Sequence, residues 1–97
     1  MRIRFLEVAR SELLEAHQYY ASYSAAAADR FRRDARSALR RMAAHSDAWH
    51  PLDARFRRCQ LTGFPYGVIY EKVGDDLIIV AVAHLHREPD YWRRHTP

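Results

Sequence analysis

The side chains best able to do chemistry crowd into one segment, His84-Leu85-His86-Arg87-Glu88-Pro89-Asp90-Tyr91-Trp92-Arg93-Arg94, which follows directly on an apolar run. His84 and His86, two apart on a strand, would project two imidazoles from one face. That spacing suits a metal pair only if a third ligand, such as Asp90 or His95, comes from the tail. Hydrogen-bonded or solvated histidines are the plainer reading, and neither a metal nor another cofactor is expected. Arg87 offers a planar fork for phosphates and carboxylates, and Tyr91 and Trp92 add aromatic surface. The plainer role of both rings is to cover the sheet end, with Pro89 starting a short helix at its first turn. Enzyme motifs are missing elsewhere. The three glycines are scattered at 63, 67 and 74 rather than gathered in a phosphate loop, and no nucleophile elbow is present. The single cysteine, Cys59, reads as a small core residue.

Those side chains need a rigid base, and the chain before them supplies one. Leu77 to Ala83, LIIVAVA, is apolar on both faces, the pattern of a central strand. Phe64 to Glu71 alternates with period two, and Gly74-Asp75-Asp76 turns it into the apolar run. Ala54 to Leu61 is a more polar strand, with Phe56 and Arg58 on one face and Arg55, Arg57 and Cys59 on the other; its charge suits a sheet edge. Ala44 to Asp53 has no period and reads as a loop in which Trp49 plugs the helix ends. Upstream, Arg2 to Glu7 alternates as a short first strand. Ala9, Leu13, Ala16, Tyr20 and Tyr23 then mark one face of a helix. Ser24 caps a second helix whose core face is Phe31, Ala35, Ala38, Leu39 and Met42 and whose other face carries Arg33, Arg36, Arg40 and Arg41.

The expected fold is α+β in the order β-α-α-β-β-β. A helical hairpin packs on one face of a four-stranded, mainly antiparallel sheet, with the first strand beside the last, and a short C-terminal tail follows. The other sheet face is expected to stay concave and open. The 97 residues suit one domain, residues 1–97, with 48% hydrophobic residues for a modest core. No apolar run approaches the roughly 20 residues of a membrane span, so no membrane partner is expected. A lone cysteine and an N-terminus without a long apolar core point to the cytoplasm. Net charge is +4, and Lys72 is the only lysine among sixteen basic residues. Such a surface admits nucleic acid or an acidic protein partner; GC-rich codon bias accounts for Arg and Ala abundance equally well.

Pro65-Tyr66-x-x-x-Tyr70, the apolar strand, and His84-x-x-Arg87-x-Pro89-x-Tyr91-Trp92 resemble the C-terminal half of the RelE/ParE superfamily of toxins from type II toxin–antitoxin modules. The element order and Ala9-x-x-x-Leu13 with Tyr19-Tyr20 extend the resemblance over the whole chain. It implies a cognate antitoxin as partner, whose extended acidic or amphipathic segment wraps and neutralises the toxin. The ending Arg87-x-Pro89-x-Tyr91-Trp92-x-x-His95 is closer to the ParE-like pattern, that of plasmid stabilisation proteins. ParE-like members resemble poisons of DNA gyrase, which act by binding rather than by catalysis. The surface implied for the target is His84, His86, Arg87, Tyr91, Trp92 and Arg93. The antitoxin surface is Leu13, Tyr20 and Phe31 with Arg33 and Arg40, and DNA is reached only through the antitoxin complex. The alternative is a RelE-like ribonuclease acting on messenger RNA at the ribosome, with Arg58, Arg87 and Tyr91 as its catalytic set: cations for the charged phosphorane and a group to activate the 2′-OH. A second alternative is a non-toxic member that only binds its antitoxin. If the tail is an active surface, replacing both Arg87 and Tyr91 by alanine is expected to abolish growth inhibition at nearly unchanged thermal stability.

Overall fold

Alternation in RIRF makes β1, Arg2–Phe5, which turns its apolar side chains Ile3 and Phe5 inward. In the computed structural model, which describes residues 1–96, two helices follow. Helix α1 is Glu7–Ala21 and α2 is Ala25–Ala44. Ser24, in extended backbone, accepts the Ala27 N–H at 3.0 Å and caps α2, so the joint is short enough for a helical hairpin. Because α1 ends at Ala21, Tyr23 never joins its buried stripe. It stands exposed in the joint, a correction to the periodic expectation.

The sheet has five strands rather than the four expected, in the order β1-β5-β4-β3-β2. The addition is β2, His50–Pro51, a two-residue edge strand paired with Arg57 and Arg58. Two residues are too few to show a period, and proline is tolerated at an edge because it has no N–H to offer a ladder. Strand β3, Phe56–Gln60, starts late because the Asp53 carboxylate accepts the N–H groups of both Arg55 and Phe56 at 2.8 Å and holds a turn there. Strand β4 is Tyr66–Val73 and β5 is Asp76–His84, joined through Gly74 at φ 59°. As the apolar run requires, β5 lies inside the sheet, parallel to β1 and antiparallel to β4.

A register shift interrupts the β4–β5 ladder: Ile69 pairs with Ala81, but Tyr70 pairs with Ile79. Val80 is the extra residue of a bulge, and it reverses the parity of β5. Leu77 and Ile79 face the helices before the bulge, whereas Val82 does so after it. Val80, Ala81 and Ala83 face the opposite side.

The core between helices and sheet gathers Ala9, Phe31, Ala38, Met42, Cys59, Tyr70 and Leu77. The Cys59 thiol is pushed up by burial. Trp49 packs against this core and donates its indole N–H to the Arg41 carbonyl at 3.2 Å. Tyr70 donates to the Ser46 carbonyl at 2.7 Å, and burial pushes its phenol up to about 12. No helix among the described residues is long and apolar enough to cross a membrane.

Candidate functional site

The face of the sheet away from the helices is covered, not open. A 3₁₀ turn, Tyr91–His95, folds back over it and buries Tyr91 and Trp92 at 6% and 3% exposure. They join Phe56, Ile69, Val80 and Ala81 in a second core. The turn starts two residues later than Pro89 as its first residue would place it. Asp90 intervenes in a left-handed conformation at φ 64°, which Asp tolerates better than most residues. Its Oδ1 accepts from Arg93 at 3.1 Å. The Trp92 ring meets Phe56 edge-on at 4.9 Å, and the Arg93 guanidinium lies 4.5 Å over Trp92. At the far end His95 Nδ1 lies 2.8 Å from the Val80 carbonyl; a carbonyl only accepts, so the proton is on Nδ1.

One carboxylate on α1 fastens the tail. Glu12 Oε1 accepts the Val82 N–H at 2.9 Å. Strand β1 has ended by then, its last pairing being Phe5 with Ile79, so Glu12 takes the place of a strand partner. Glu12 Oε2 accepts the Tyr91 hydroxyl at 2.6 Å and Arg87 Nη1 at 3.4 Å, with the Glu12 side chain only 10% exposed. Arg87 also sits 3.8 Å over the Tyr91 ring. Burial, and then the hydrogen bond to the Glu12 carboxylate, push the Tyr91 phenol far above its ordinary value. Replacing Tyr91 by alanine therefore removes a core side chain. The expectation that the Arg87 and Tyr91 double replacement spares stability is overturned by this burial.

A cavity of about 240 Å³ opens between the tail and the strands. Arg58, Arg87 and Tyr91, far apart in sequence, all line it, together with His84 and Trp92. His84 Nδ1 accepts the His86 N–H at 3.1 Å, and its ring meets Tyr66 at 5.1 Å. His86 is exposed beside it, at 5.1 Å ring to ring. Neither third ligand considered for a metal joins them, since Asp90 holds Arg93 and His95 holds Val80. Arg93 is committed to Asp53 at 2.7 Å as well as to Asp90.

Across the molecule, a second hollow of about 210 Å³ lies on the outer side of the helical hairpin. Leu13, Phe31, Ala35 and Leu39 contribute to it, and Arg32 and Arg36 add positive charge. Phe31 is only 1% exposed, so it offers this hollow little more than an edge. Tyr20 lies in an aromatic cluster with Phe31 and Phe64 instead. Arg33 is exposed and pairs with Asp29 at 3.3 Å; like exposed Arg40, it is not among the residues lining the hollow.

Sequence reasoning missed Glu12, Asp53 and Gly67. Glu12 could have been found: it lies between Ala9 and Ala16 on the flank of the buried stripe, where an unpaired carboxylate is costly. The hydrogen bond from Arg93, and then the two backbone N–H groups, hold Asp53 down at about 2. A carboxylate depressed below its unfolded value of about 3.9 adds stability above that value and loses it as pH falls through the folded one. Wild-type protein is therefore expected to lose more stability between about pH 4 and 2 than Asp53→Asn does. Urea midpoints read by tryptophan fluorescence check this, and parallel curves for the two proteins would contradict it.

Comparison with known proteins agrees with this architecture. Residues 3–91 match the family model described as the ParE toxin of the type II toxin–antitoxin system parDE. Among solved structures, a chain of the chromosomal ParDE toxin–antitoxin system from P. aeruginosa superposes with a TM-score of 0.64 at 10% identity, covering 89% of this chain and 97% of its own. At that identity the likeness is one of fold. No curated protein sequence matches the chain.

Proposed function

The chain belongs to the ParE toxin family of type II toxin–antitoxin systems, and from that membership we propose that it arrests growth by binding DNA gyrase and is neutralised by a cognate antitoxin in the cytoplasm. The observation that carries binding over catalysis is the Glu12–Tyr91 hydrogen bond. A ribonuclease set built on Arg58, Arg87 and Tyr91 needs the tyrosine to accept or deliver a proton near neutral pH. Here the hydroxyl is buried, bound to a carboxylate and shifted away from that range. Arg87 is partly neutralised by the same carboxylate. The three residues do meet at one cavity, so the ribonuclease is the reading to be tested against.

Induced expression in a bacterial host, with DNA breaks and transcript ends followed in the same culture, separates the possibilities. Growth arrest with gyrase-dependent double-strand breaks and intact messages is expected. Codon-phased cuts in messages with undamaged DNA would assign the ribonuclease instead. Normal growth with folded protein present would leave only antitoxin binding.

The hollow on the helical hairpin fits an amphipathic acidic segment of the antitoxin, with Leu13 and Leu39 facing its apolar side and Arg32 and Arg36 its carboxylates. DNA is then met only through the antitoxin. Reversing both charges with Arg32→Glu and Arg36→Glu is expected to weaken antitoxin binding at least tenfold, with a smaller loss in high salt. Titration calorimetry giving the wild-type affinity would remove this face from the interface.

A further inference from the structure

We propose that the cavity under the tail is a receptor for one carboxylate on an apolar body, supplied by an acidic residue of a protein partner, with Arg58 as its anchor. This rests on the reading that the chain acts by binding a protein. Arg58 projects from β3 on the tail side, and its stem crosses Gly67 of β4. A Cβ at Gly67 would come within 2.7 Å of Arg58 Cδ and 2.8 Å of Cγ. Gly67 is the second residue of β4 and has no positive φ, so its backbone needs no glycine; what needs glycine is the arginine stem lying on it. The guanidinium is thereby held at the cavity wall.

The other guanidinium groups of this face are engaged: Arg87 by Glu12, Arg93 by Asp53 and Asp90, and Arg55 by Glu71. The Arg58 guanidinium has no hydrogen-bond, ion-pair or ring partner among the described residues. A partly buried guanidinium with open donors matches a carboxylate fork to fork.

Charge and size select one carboxylate over a phosphate chain. Glu88 and Asp90 also line the cavity, Arg93 offsets Asp90 and Glu12 offsets Arg87, so a polyanion would meet the negative charge of Glu88 in the same lining. The volume of about 240 Å³ lies below the ~300–1,000 Å³ usual for small-molecule sites. It suits one or two side chains, and Leu52, Ile69 and Trp92 supply an apolar lining for them.

The test titrates isotope-labelled full-length chain with N-acetyl-phenylalanine and, separately, with its amide, inorganic phosphate and a uridine dinucleotide. The acid is expected to shift the Ala83 and Leu85 amides and the Trp92 indole signal, with a Kd of about 1 mM. The amide should bind about tenfold more weakly, as loss of a charge-assisted pair implies. Arg58→Gln should do the same. Gly67→Ala, which displaces the arginine stem but keeps its charge, should weaken the acid severalfold at an unchanged unfolding midpoint. Glu88→Gln should improve phosphate binding more than acid binding. Equal binding of acid and amide, wild-type affinity in either Arg58→Gln or Gly67→Ala, or tighter binding of phosphate or dinucleotide than of the acid would overturn the proposal. Should Arg58→Gln not fold, Gly67→Ala carries the test alone. Gyrase-dependent breaks in cells without acid binding would spare the functional reading and remove this cavity from it. Acid binding without toxicity would do the reverse.

Discussion

Glu12→Ala is expected to cost about 3 kcal/mol of folding stability and to lower the melting temperature by roughly 15 °C. The change strands the buried Tyr91 hydroxyl and the Val82 N–H and removes the counter-charge of Arg87. An unsatisfied buried polar group costs about 1–3 kcal/mol, and two are created here. Glu12→Gln keeps an oxygen acceptor and loses only the charge, so about 1 kcal/mol is expected for it. Glu12→Ala combined with Tyr91→Phe should be less damaging than the two changes added together, because each removes one end of the same contact. Urea unfolding of wild type, Glu12→Ala, Glu12→Gln, Tyr91→Phe and the double variant measures this. Equal midpoints for wild type and Glu12→Ala would show that the carboxylate does not hold the tail.

Trp92→Ala should rival it, at about 3–5 kcal/mol, the usual range for emptying a buried aromatic site. The indole fills the space over Phe56 and Val80 and carries the Arg93 guanidinium on its face. Its loss should detach the tail, so protease should nick the exposed segment 85–90 well before the sheet unfolds. Urea midpoints and a digestion time course give both numbers. The opposite pattern, unchanged stability with lost toxicity, would make Trp92 a contact for the target rather than a packing residue.

The helices and the order of the sheet were legible because their signals repeat. Ala9, Leu13 and Ala16 recur at helical spacing, Ser24 stands at a cap, and LIIVAVA is apolar on both faces, which only an interior strand requires. The bulge at Val80 was not legible for the same reason: in a run apolar throughout, a parity reversal leaves no trace in residue type. A two-residue strand is too short for periodicity, so β2 escaped notice; a short helix with Tyr91 and Trp92 covering the sheet end was the plainer reading, but five residues give no period to show how fully the tail closes the face expected to stay open. The tail looked like free chemistry because its restraint comes from far along the chain, with Glu12 and Tyr91 79 positions apart. Arg58, Arg87 and Tyr91 line one cavity, but the carboxylate that changes what they can do lies on a helix read only for its apolar face.

Four residues of β1 pair with a β5 of nine, so the rear half of β5 runs on beyond its neighbour. An uncharged stretch of Val and Ala with a bare edge is a template for a second chain to pair against, the first step toward fibrils. Helix α1 closes that edge, and Glu12 caps the donor that a foreign strand would seek first. Solubility during expression and refolding therefore depends on the same contact as tail docking. A chain that loses the contact is exposed to self-association before it is exposed to unfolding.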